Sequence, residues 1–126
     1  MSRPFLGAVL LCVFVRPSLA QTATPLTISW EKNYLTVRGD FPGSEIKTHY
    51  LEAYCRPGST DRDWKETVIP HTADVIEATS DGKLIRLRDK LADGVIVEHT
   101  ITAKTDEIDF RLTAHNPTDK TSAAHW

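Results

Sequence analysis

Between Asp74 and Asn116 apolar and polar residues alternate with a period of two, the pattern of strands with one face buried and the other wet. Ile76 and Ala78 share one face, as do Ile85, Leu87 and Leu91, then Val95, Val97, Ile101 and Ala103, then Ile108, Phe110, Leu112 and Ala114. Asp81-Gly82, Asp93-Gly94 and Thr105-Asp106-Glu107 punctuate the runs. This predicts a meander of four antiparallel strands.

A one-residue slip would turn a whole apolar face to water, so parity constrains the registers. A two-residue type I′ turn at Asp81-Gly82 pairs Ala78 with Ile85 and Ile76 with Leu87. At the second turn parity demands a three-residue loop, Ala92-Asp93-Gly94, with Gly94 at the position needing positive φ. Leu91 then faces Val95, Leu87 faces His99 and Ile85 faces Ile101. The third connection pairs Ala103 with Phe110, Ile101 with Leu112 and His99 with Ala114. On the polar face these registers set Glu77 against Arg86, Arg88 against Glu98, Glu98 against His115 and Lys104 against Asp109, complementary charges that the apolar argument did not use.

Upstream, 26–30 and 35–38 read as two short strands around Glu31-Lys32-Asn33-Tyr34, and Gly39-Asp40-Phe41-Pro42-Gly43 as a turn. Glu45 to Cys55 reads as one longer strand that loses alternation from Tyr50, as a strand covered on both sides would. About seven strands and no helical period predict an all-β, antiparallel β-sandwich.

The first 20 residues follow another pattern. Arg3 precedes an apolar run of 11, Phe5 to Val15, and Ser18-Leu19-Ala20 supplies small residues at the cleavage positions. This is the plan of a signal peptide cut after Ala20, too short to span a bilayer. Gln21 to Pro25 then forms a linker, and 26–126 a single domain, exported to the periplasm, cell surface or medium, with no membrane segment after cleavage. Without Arg3 and Arg16, 13 of the 15 basic residues remain against 17 acidic ones, a net charge of −4. That excludes nucleic acid and anionic membranes as partners. Cys55 becomes the sole thiol: buried as a small hydrophobe, awaiting a partner chain, or missing its partner. The sequence sets no oligomeric state.

Two places carry candidate chemistry. The loop 56–67 is the longest stretch without strand character. Its Trp64, with Asp61, Arg62, Asp63 and Glu66, has the parts of a sugar site: an aromatic platform and charged groups for hydroxyls. The alternative is a solvated loop pinned by Trp64 tucked into the core. Asp61-x-Asp63 lacks the glycine and distal glutamate of a calcium loop. The second place follows from the registers, which set Asp74 opposite Asp89, beside Asn116, with His99 one diagonal step away. Two close carboxylates and an imidazole are acid–base hardware; alternatively the row is a wet rim and His99 a satisfied core histidine. His49, His71, His99, His115 and His125 show no metal-ligand spacing, no phosphate loop or nucleophile motif is present, and no cofactor is expected.

The run Val97-Glu98-His99-Thr100-Ile101-Thr102 followed by Ile108-Asp109-Phe110-Arg111-Leu112-Thr113-Ala114-His115-Asn116-Pro117-Thr118-Asp119-Lys120 resembles the central strands of the galactose mutarotase-like β-supersandwich. In that family such a strand ends in a similar Asn-x-Thr-Asp turn, and a catalytic histidine followed by an aromatic comes later. The resemblance puts His125, followed by Trp126, in that place as general acid, at a shorter spacing than in the sugar epimerases. It covers about 25 residues, with no match for the family's substrate-binding arginine and histidine or its catalytic glutamate. It implies part of a larger supersandwich, a domain incomplete at its C-terminus and not a competent enzyme by itself. The leading segments resemble those of exported bacterial proteins. The expectation is an exported carbohydrate-recognising domain from a longer carbohydrate-active protein; the alternative is a structural or adhesive envelope module without a small-molecule site.

Overall fold

The computed structural model describes residues 24–51 and 53–125. The expected leader, most of the linker and Trp126 lie outside them. The chain runs β1 (Thr27–Glu31), β2 (Tyr34–Arg38), β3 (Glu45–His49), β4 (Tyr54–Cys55), α1 (Trp64–Thr67), β5 (Val68–Ile69), β6 (His71–Ala78), β7 (Leu84–Leu91), β8 (Ile96–Ala103) and β9 (Ile108–His115). The strands form three antiparallel sheets: β1-β2-β3, the ribbon β4-β5, and the meander β6-β7-β8-β9.

The expected meander is present in order, and its centre matches the parity argument. β7 and β8 pair Ile85 with Ile101, Leu87 with His99 and Arg88 with Glu98. The Leu91 N–H donates to Val95 at 2.9 Å across the three-residue loop, where Gly94 has φ +96°. At the first turn the register near the loop holds but the turn type does not: the Gly82 N–H donates to the Thr79 carbonyl and only Gly82 has positive φ, so the loop is not type I′. The type I′ geometry occurs instead between β1 and β2, where Lys32 and Asn33 both have positive φ.

Both outer registers of the meander differ from expectation. In β6 the pairing passes from Val75–Leu87 to Glu77–Arg86, so Ile76 is an extra, bulged residue and does not face Leu87. Beyond the bulge every residue changes face. In β9 the register is displaced by two residues, with Ala103 opposite Ile108, Ile101 opposite Phe110 and His99 opposite Leu112. A two-residue displacement keeps every side chain on its face, so parity cannot detect it; the tight Thr105-Asp106 turn, closed by the Lys104 N–H to Glu107 carbonyl bond at 2.9 Å, decides it. Glu98 therefore faces Thr113 rather than His115, and Lys104 reaches Asp109 along a diagonal at 3.9 Å.

The expected long strand from Glu45 to Cys55 is two. β3 is exposed along its whole length, and the chain leaves it through Leu51 at φ +51° before forming β4. Alternation fails there because the backbone crosses between sheets, not because both faces are covered.

Sheet β1-β2-β3 covers one end of the meander. Ile28 and Leu35 pack on Ile85, Leu87, Ile101 and Ala103 in a sandwich core. The Ile28 N–H donates to the Gly82 carbonyl at 2.8 Å and the Leu26 N–H to Lys104 at 3.1 Å, fastening the sheets together. A second cluster, Tyr54, Ile69, Leu91, Val95 and Val97, lies under Leu51, Ala123 and Ala124. Both cover the two central strands. Along β6 and β9 the apolar face runs past the cover, so Ile76, Phe110 and Leu112, expected in the core, are exposed, as is Val75. No helix among the described residues is long and apolar enough to cross a membrane.

Candidate functional site

Where the two core clusters meet, the buried face of β7 and β8 carries two polar residues among the aliphatics. Asp89 is 2% exposed and His99 1%. Their side chains converge on two tyrosines from the crossing segment. The Tyr54 hydroxyl donates to Asp89 Oδ2 at 2.6 Å and lies 3.0 Å from His99 Nε2; that nitrogen is 3.2 Å from the same carboxylate oxygen. The Tyr50 hydroxyl is 3.3 Å from His99 Nδ1. In a neutral imidazole these geometries are met when Nε2–H donates into the Tyr54 oxygen and the carboxylate and Nδ1 accepts from Tyr50. Asp89 Oδ1 has no hydrogen-bond partner among the described residues.

The electrostatics follow from burial and neighbours. Burial works to raise the Asp89 carboxyl, but the hydrogen bonds from His99 and Tyr54, with the fields of His99 and His71, hold it below the ordinary carboxylate range. Burial first, and Asp89 second, push Tyr50 up to about 12. Tyr54 is raised further, by burial and then by its bond to Asp89. The tetrad therefore holds an ionised carboxylate between two neutral phenols. Such groups can pass a proton among themselves, but three of the four are buried, so the cluster locks the crossing segment to the meander.

Only half of the expected acid–base row assembles. Asp89 and His99 meet, whereas the bulge puts Asp74 opposite Arg88 on the outer, exposed face. Asn116 lies outside the cluster in an exposed turn, its Nδ2 donating to the Lys120 carbonyl at 2.7 Å and its Oδ1 accepting from Thr118. The sequence reading missed Tyr50 and Tyr54. Their signal was there: two tyrosines in a run of lost alternation must, once covered, bring their hydroxyls to polar partners.

The loop 56–67 contains a helical turn that its sequence did not announce. Asp63 caps it, Oδ1 accepting from the Lys65 N–H at 2.8 Å. Thr67 is buried and its hydroxyl reaches back to the Asp63 and Trp64 carbonyls. Arg56 donates to the Val68 carbonyl at 2.8 Å, closing the loop's base. Trp64 does not tuck into the core. It is 51% exposed, and Asp61, Arg62, Asp63, Lys65 and Glu66 around it in sequence are all exposed.

His125 is exposed, and its N–H donates to the Cys55 carbonyl at 2.9 Å. The Arg56 N–H donates to Thr67 on the opposite side of the chain, so the segment before His125 flanks β4 on the edge away from β5. The segment is pinned by Asp93, whose Oδ2 accepts from the Ser122 hydroxyl at 2.7 Å and the Ala123 N–H at 3.0 Å. Cys55 is a free thiol, half-buried rather than buried. Among the described residues no group of three or more histidine, cysteine or acidic side chains could hold a metal ion. In comparisons with known proteins, no family model, no curated protein and no solved structure matches the chain.

Proposed function

We propose that the chain is an exported carbohydrate-recognising β-sandwich domain whose ligand face is the Trp64 turn. One observation carries the reading: a large aromatic stands half in water on a turn fixed from beneath by the Asp63 cap, the buried Thr67 and the Arg56 clasp. Leaving an indole exposed forgoes the burial that most tryptophans gain, while fixing it beforehand lowers the entropy lost on binding. A sugar ring offers an apolar C–H face to such a platform, and Asp61, Arg62, Lys65 and Glu66 are exposed nearby in sequence to meet hydroxyls. Export rests on the leader ending at Ala20. The buried tetrad serves the fold in this reading.

The reading is tested by titrating the chain from Gln21 with a panel of mono- and oligosaccharides while following tryptophan fluorescence. The expected result is a saturable change for one sugar class, weakened at least about tenfold in Trp64→Ala with circular dichroism unchanged. A cooperatively folded chain that responds to no sugar overturns the proposal. It would favour the second reading, a structural or adhesive module, which the exposed apolar residues of β6 and β9 support.

A further inference from the structure

The two edges of the meander are built differently. β6 carries the bulge at Ile76, a device that breaks the regular ladder a neighbouring strand would need. β9 pairs with β8 without interruption over eight residues. The Lys104–Glu107 backbone bond sets the alternation along it. Asp109, Arg111, Thr113 and His115 bond inward to β8, and the N–H and carbonyl groups of Ile108, Phe110, Leu112 and Ala114 point to the open edge. Among the described residues no strand pairs with that edge. Its core-side residues are only partly covered: Phe110, stacked on Tyr50 with ring centroids 5.4 Å apart, is 44% exposed and Leu112 49%. A straight edge with an apolar face is a template for another strand.

We propose that the occupant is a second copy of this chain, its β9 antiparallel to the first, with Phe110 opposite Phe110 at the two-fold axis. The edge is self-complementary in that register. Outward backbone groups meet outward backbone groups, since Phe110 pairs with its counterpart and Ile108 with Leu112. On the polar face Asp109 falls opposite Arg111 twice, once on each side of the axis. Moving the partner by two residues in one direction would set Arg111 against Arg111, and in the other Asp109 against Asp109, both repulsive. The chosen register also brings the partner's Leu112 beside Ile108, which with Leu26, Val37, Phe41 and Ile46 forms the apolar part of a groove whose remaining lining is polar and acidic. The interface is isologous, and it closes a pair rather than propagating. It stands independently of the sugar reading.

Sedimentation equilibrium of the full mature chain tests the pairing, with circular dichroism as the control for folding. The wild type is expected to dimerise at micromolar concentration. Arg111→Asp, which sets like charges opposite each other at both positions, should weaken association at least about tenfold. The swap Asp109→Arg with Arg111→Asp should restore it, and Leu112→Lys, at an exposed edge position, should abolish it. A folded wild type that stays monomeric at high micromolar concentration overturns the proposal. So does a dimer indifferent to Arg111→Asp and Leu112→Lys, which would place the interface elsewhere.

Discussion

Asp89 shows how a buried charge is accommodated. Its carboxylate is 2% exposed and keeps one oxygen without a hydrogen-bond partner among the described residues, yet the other takes the Tyr54 hydroxyl at 2.6 Å with His99 Nε2 at 3.2 Å. Removing one partner should therefore cost more than an average contact. Tyr54→Phe is expected to lose about 1.5–3 kcal/mol, the range for hydrogen bonds to charged groups, and His99→Ala about 3–5 kcal/mol, because the carboxylate stays buried with less support. The acid dependence has a definite sign. The folded carboxyl titrates below its ordinary value, so its contribution is present above the unfolded pKa of about 3.9 and is lost as pH falls through the depressed folded value. Urea melts at stepped pH should show wild-type stability declining below about pH 4. Asp89→Asn, less stable at neutral pH, should have a flatter acid limb. Parallel acid limbs for the two proteins would mean that Asp89 titrates alike in the folded and unfolded chains, so that its carboxyl is not held below its ordinary value.

At the scale of the elements, the β7–β8 hairpin was fully legible and its neighbours were not, for different reasons. Apolar parity selected the Ala92-Asp93-Gly94 loop and the Leu87–His99 pairing because the alternatives differed by one residue and inverted a face. At β9 the competing register differed by two, left every face intact, and was settled by turn closure that alternation does not encode. At β6 alternation from Asp74 to Ala78 reads the same with or without a bulge until Val75 and Ile76 are weighed against each other; that ambiguity moved Asp74 out of the site. The loop between β7 and β8 also does more than turn. A Cβ on Gly94 would approach Thr118 Cγ2 to 2.7 Å at φ +96°, and Asp93 holds the segment whose Ala123 and Ala124 pack against the second core cluster. Gly94→Val should therefore cost about 2 kcal/mol or more, by strain and by the close contact. Asp93→Asn, which keeps an acceptor oxygen, should cost under about 1 kcal/mol, and Asp93→Ala more, because it frees the segment. Denaturant melts rank the three, with amide exchange at His125 reporting the segment; equal stabilities would contradict the loop geometry.

Across the whole molecule, order of protection should follow the layering, since both core clusters sit on the same two strands. β7 and β8 have a strand on each side and are covered by Ile28 and Leu35 at one end and by Tyr54, Ile69 and the C-terminal segment at the other. β3 is an edge strand exposed at every residue. Native-state amide exchange should accordingly be slowest in the inner part of β7 and β8, near the global unfolding limit, and fastest in β3. β9 should show a finer pattern. Amides of Asp109, Arg111 and Thr113 bond into the sheet, whereas those of Phe110 and Leu112 point to the open edge, so a monomer should exchange alternately fast and slow along this strand. If two copies join there, raising the protein concentration should slow Phe110 and Leu112 while leaving Arg111 and the fast amides of β3 unchanged, because only the edge groups gain partners. A uniform slowing along β9 would instead mean that the strand is stabilised as a body, without a new ladder at its edge. The alternation thus separates strand pairing from every other way of covering the exposed phenylalanine and leucine.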